Sequence, residues 1–210
     1  MTSIQANLTL LFSTPVARVE LPDGAALNAA LRETILARET ARPTTRHSNM
    51  GGWQSSWDMG AWGGPAAQRL LEFAADIVAQ LTVDRADGRP VRPAWKSIMW
   101  ANINRSGHGN AHHVHPGAFW SGVYWVDDGG IAASPALGGE LDFMDPRGAA
   151  PTMYAPHLGF STHGGRSLGA SELLRPQAGV MVLFPSWLLH GVRPYLGERT
   201  RISVAFNFSL

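Results

Sequence analysis

The chain contains no cysteine among its 210 residues. That absence excludes disulfides and thiolate metal sites, and it fits a reducing compartment, so a cytoplasmic location is the expectation. Charge is also scarce: charged residues make up 16%, the formal net charge is +1, and the basic residues are scattered. A nucleic-acid footprint or a membrane-surface patch would need them clustered. No apolar run is long enough to span a bilayer. The opening MTSIQANLTLLFSTPVARV has no basic leader, and its apolar stretch stops at Pro15; it reads as a first strand over 7–20 rather than a signal peptide. Hydrophobic residues reach 45%, enough at this length to bury a core, so one domain over 1–210 is expected.

Two helices precede a β-rich remainder. Leu27, Ala30, Leu31 and Ile35 recur at helical spacing, which predicts an amphipathic helix over 25–39. Pro65 sits where a first helical residue would, and Leu70, Phe73, Ala74, Ile77, Val78 and Leu81 form an apolar stripe behind it, predicting a helix over 65–82. Residues 40–63 read as an irregular loop carrying Trp53, Trp57 and Trp62, and DRADGRPVRP as a turn-rich connector. From Trp95 on, WKSIMWANI, WSGVYWV, GELDFMD, GVMVLFP and RISVAFNFSL are short β-type runs between Gly/Pro turns. The fold class is therefore mainly β, a jelly roll or similar double-sheet barrel over 95–210, supported by a strand and two helices within 1–94. Residues 146–172 have weak periodicity and read as a long functional loop.

The segment NAHHVHPGAFWSGVYWV holds three of the eight histidines. On an extended chain, residues two apart share a face, so His113 and His115 can reach one metal ion while His112 points away. Zinc, copper, iron and nickel all accept imidazole. A buried strand and a proline turn precede His190 in AGVMVLFPSWLLHGVRP, making His190 the candidate third ligand. Eleven positions later, Arg201 and Ser203 alternate with Ile202, Val204 and Phe206. An arginine and a serine on one strand face can fork a carboxylate.

Together these pieces resemble the 2-oxoglutarate/Fe(II)-dependent oxygenase superfamily. More narrowly, HxHPxxxxSGVYxV, GGELDFMDPR, FPSWLLHGVRP and RISVAFNF look like an uncharacterised bacterial and phage subgroup of it, over most of 95–210. The resemblance implies a double-stranded β-helix, a cupin-like jelly-roll barrel, with Fe(II) held by His113, His115 and His190. It implies 2-oxoglutarate as cosubstrate, its distal carboxylate on Arg201 and Ser203 with Tyr124 placed to help. It also implies an O2-dependent hydroxylation releasing succinate and CO2. Asn102, Asn104 and Trp120 are candidates for the substrate pocket.

His115 departs from the superfamily, which usually has a carboxylate there; Glu140, Asp142 or Asp145 is the alternative donor. Three-His iron sites also occur in cupin-type dioxygenases without 2-oxoglutarate, and a non-catalytic metal- or ligand-binding jelly roll is a further alternative. The expected partner is a small-molecule or peptide substrate, with no nucleic acid and no membrane. The oligomeric state stays open, a homodimer included.

Overall fold

The computed structural model describes residues 11–148 and 170–210, together with 155, 157 and 158. A short strand, β1 (Ala17–Glu20), leads through a turn at Asp23 into helix α1 (Gly24–Ala41). Within the stretch read as a loop lie β2 (Asn49–Met50), β3 (Trp53–Gln54) and the one-turn helix α2 (Met59–Trp62). Helix α3 (Gly64–Leu81) carries Pro65 in its first turn, and Ala67, Leu70, Ala74 and Val78 form its buried stripe. Both expected helices are present, each within a residue or two of its predicted ends.

The β unit follows: β4 (Lys96–Asn104), β5 (Gly109–His113), β6 (Trp120–Asp127), β7 (Leu141–Met144), β8 (Ser171–Leu174), β9 (Val180–Pro185), β10 (His190–Val192) and β11 (Arg201–Ser209). Two antiparallel sheets form, one ordered β1-β9-β6-β11-β4-β3 and the other β2-β5-β10-β7-β8. This is the expected mainly β, double-stranded β-helix architecture. Most of the stretch read as a long loop, 146–172, lies outside the described residues. Among the described residues, no helix is long and apolar enough to cross a membrane.

The six-stranded sheet has two different faces, and strand alternation decides which residue sees which. Its outer face packs on α1 and α3 through Tyr124, Met181, Leu183, Ile202, Val204 and Phe206. Gly122 is part of that packing: opposite it stands Phe206, and a Cβ at 122 would lie 2.3 Å from the phenyl ring. The inner face looks towards the five-stranded sheet. There Trp125, Val180, Val182 and Phe184 pack with Leu141 and Phe143 of β7. The rest of the inner face mixes Asn102, Arg201 and Ser203 with Trp100, Val123 and Ala205, and it is where the site lies.

Candidate metal centre and anion pocket

Strands β5 and β10 pair antiparallel, with His113 directly opposite His190. His115 lies two residues beyond His113, just past the strand end, where its backbone N–H donates to the Ser186 carbonyl at 3.0 Å. The ring centroids of His113, His115 and His190 are 4.5–5.1 Å apart. Their ligand atoms all lie within 4.8 Å of one another, and no acid joins the group among the described residues. Of the three candidate carboxylates, Asp142 accepts from Arg193 Nε at 3.1 Å and lies 3.8 Å from His112 Nε2. Asp145 pairs with Arg147. Glu140 does not belong to the group.

The rings are oriented for ligation. His113 Nδ1 is 2.8 Å from the Ala111 carbonyl oxygen, and His190 Nδ1 is 2.7 Å from that of Leu188. A carbonyl only accepts, so Nδ1 carries the proton on both rings and Nε2 is left with its lone pair. Burial also disfavours the imidazolium. It holds the pKa of His113 below the ordinary value, takes His190 down to about 4 and His115 down to about 3, with repulsion from nearby imidazoles, His47 and His112 among them, adding to the effect. Neutral imidazoles with inward lone pairs are what a divalent transition metal binds.

The three rings open onto a cavity between the sheets holding about 600 Å³ of atom-free space, open solvent at its mouth included. Arg201 and Ser203 line its other end. Arg201 is only 1% exposed, yet it forms no ion pair among the described residues. One guanidinium nitrogen donates to Asn104 Oδ1 at 3.1 Å, while Nε is buried with no partner among the described residues. Desolvation pulls its pKa down to about 10. A buried, under-bonded cation facing a cavity is suited to receive an anion.

The remaining site residues separate by strand face. Asn102 lines the cavity and Asn104 braces Arg201. Two expectations are corrected. Tyr124 is on the outer face of β6, where its hydroxyl donates to Asn28 Oδ1 of α1 at 2.6 Å; it is absent from the cavity wall. Trp120 shares that face, its Nε1 donating to Thr82 Oγ1 at 3.0 Å. Alternation places Val123 and Trp125 on the cavity instead. Three residues absent from the sequence-based set also line the cavity: Trp125, Gln54 and Trp100. Trp100 stacks at a tilt on His115, with centroids 5.8 Å apart. The loop tryptophans divide as well: Trp53 is buried with its Nε1 on the Arg42 carbonyl, Trp62 sits beneath Arg38, and Trp57 is exposed against His47.

No curated protein matches the sequence. Among solved structures, a prolyl-4-hydroxylase from Pseudomonas putida superposes with a TM-score of 0.65 at 15% identity, over 94% of this chain and 93% of that one. A Trichoplax adhaerens prolyl hydroxylase in complex with a hypoxia inducible factor peptide fragment gives 0.62 at 12% identity, over 92% and 83%. The viral collagen prolyl hydroxylase of Paramecium Bursaria Chlorella virus-1, in its 2OG complex, gives 0.57 at 12% identity, over 93% and 96%. At these identities the likeness is one of fold. The sequence itself matches the model of the family 2OG-FeII_Oxy_5, described as "Putative 2OG-Fe(II) oxygenase", over residues 98–207. That match takes in every strand that carries a histidine ligand candidate and the strand that carries the buried arginine, and the chain belongs to this family of 2OG-Fe(II) oxygenases.

Proposed function

We propose that this protein is a non-haem Fe(II) oxygenase that uses 2-oxoglutarate and O2 to hydroxylate a C–H bond of its substrate, releasing succinate and CO2. The observation that carries the reading is Arg201: a buried guanidinium, its Nε unpartnered among the described residues, on the wall of the same cavity that three neutral histidines line. A metal centre alone gives that arginine nothing to do; a cosubstrate that is both a metal chelator and a dicarboxylate uses both ends.

His113, His115 and His190 would hold the iron through Nε2 or, for His115, through whichever nitrogen faces the ion. Bound there, iron supplies oxygen activation coupled to decarboxylation of the 2-oxo acid. The chain's own residues do the rest. The Ala111 and Leu188 carbonyls fix the tautomers of His113 and His190. Asn104 holds Arg201 in place, and Arg201 with Ser203 orients the distal carboxylate. Trp100, Phe184 and Leu141 give the cavity apolar walls. The three imidazoles bring no negative charge, so a dianionic cosubstrate offsets the charge of the ion and of Arg201 together.

The test is anaerobic addition of Fe(II) and then 2-oxoglutarate to the metal-free protein, followed by the visible spectrum. A weak charge-transfer band is expected in wild type, with strong loss in Arg201→Ala. A second reading, iron chemistry without 2-oxoglutarate, is favoured by the all-histidine ligand set; iron binding with no band would select it.

A further inference from the structure

Arg201 Nε is not the lone unpartnered donor on the cavity wall. The indole Nε1 of Trp125 is also fully buried and without a hydrogen-bond partner among the described residues. Buried indole N–H groups ordinarily find an acceptor, because leaving one bare costs its desolvation. The strand register fixes where this one stands. Trp125 of β6 is paired with Ser203 of β11, and Arg201 is two residues along from Ser203. A bulge between Ile202 and Ser203 lies at this point. Ser203 is thus the direct neighbour of Trp125 and Arg201 a diagonal one on the same face, within reach of long and aromatic side chains. All three line the cavity. The indole ring itself is held by Val182, Phe184 and Leu141 in the inner apolar cluster.

We propose that Trp125 Nε1 donates to the distal carboxylate of the cosubstrate, making the end wall of the cavity a seat of charged and neutral donors, Arg201, Ser203 and Trp125, that selects a dicarboxylate. The inference rests on the reading of 2-oxoglutarate as cosubstrate. It assigns Trp125 the role expected of Tyr124. The neighbouring residue has the donor, the burial and the face; the Tyr124 hydroxyl already donates its hydrogen bond to Asn28 Oδ1.

The experiment compares 2-oxoglutarate with 2-oxobutyrate, which keeps the 2-oxo acid head and lacks the distal carboxylate. Both are titrated anaerobically into the Fe(II)-loaded protein, by calorimetry and by the charge-transfer band. Trp125→Phe keeps an aromatic ring in the apolar cluster and removes the donor together with part of the indole, a packing loss that the 2-oxobutyrate control reports. A hydrogen bond to a charged acceptor is worth about 1.5–3 kcal/mol, so 2-oxoglutarate should bind roughly 10- to 150-fold more weakly, while 2-oxobutyrate changes less than about twofold. Trp125→Tyr, which restores a donor, should recover part of the loss. Unchanged 2-oxoglutarate affinity in Trp125→Phe overturns the inference, and so does equal weakening of both ligands, which would make the indole a packing residue. If wild type binds no 2-oxoglutarate, the functional reading itself falls, and the inference with it.

Discussion

Replacing Arg201 by methionine should make the unliganded protein more stable and blind to 2-oxoglutarate. Methionine is close in length to the arginine stem and carries no charge. Desolvation of the guanidinium, read from a pKa pulled down to about 10, disfavours the charged form by roughly 3 kcal/mol at about 1.4 kcal/mol per pKa unit. Against that, the substitution leaves Asn104 Oδ1 without its donor, a loss of about 1 kcal/mol. The net expectation is a gain of about 2 kcal/mol, and for a chain of this size a melting temperature higher by roughly 2–4 °C per kcal/mol. Adding 2-oxoglutarate at a hundred times its Kd should stabilise the Fe(II)-loaded wild type by about 2.7 kcal/mol and the variant negligibly, reversing their order. Urea unfolding with and without ligand, under anaerobic conditions, measures both. An unliganded variant less stable than wild type would refute the reasoning, since it would mean that the arginine is already satisfied and serves the fold.

Acid should weaken the metal-free protein. The folded-state pKa values of His190 and His115 lie below the unfolded value, so the unfolded chain takes up protons first and stability falls with pH from about 6.5 down towards about 4 for His190 and about 3 for His115. At pH 5 the His190 share alone is about 2 kcal/mol, and urea titrations at pH 7.5 and 5 that coincide would contradict it. His113→Ala and His190→Ala should each abolish measurable Fe(II) binding by calorimetry, whereas His112→Ala, paired with Asp142 outside the three-histidine group, should keep it within a few-fold. Tyr124→Phe should cost about 1 kcal/mol in unfolding through the lost bond to Asn28 while leaving 2-oxoglutarate affinity unchanged; a tenfold weaker Kd would return Tyr124 to the site.

The parts of the protein that were legible in the sequence are those governed by a period. The stripe of Leu70, Phe73, Ala74, Ile77, Val78 and Leu81 gave α3, and the alternation in RISVAFNF put Arg201 and Ser203 on the cavity face and Val204 and Phe206 on the helix face. The His-x-His spacing and the single histidine after a proline turn converged on one cluster because β5 and β10 are neighbours. What period alone could not supply was the absolute face of β6. WSGVYWV is apolar or aromatic at both parities, so nothing in its composition says whether Tyr124 or Trp125 looks inward. Gly122 was the available clue: a residue with no side chain marks the face against which Phe206 presses, and Tyr124 shares that parity. The short strands β2, β3, β8 and β10 escaped for another reason. Two to four residues hold too little pattern to read, and pairing with a neighbour is what makes them strands.

The direct pairing of His113 with His190 has a consequence for how the protein must be handled. β10 has only three residues, and its ladder to β5 carries a register irregularity between His190 and Val192. An ion seated on both histidines clips these two strands together across the ladder, and its binding energy then adds to the cohesion of the five-stranded sheet. Chelators used during purification would therefore loosen that sheet as well as empty the centre. Amide exchange in β5 and β10 becomes a gauge of metal occupancy that needs neither substrate nor turnover.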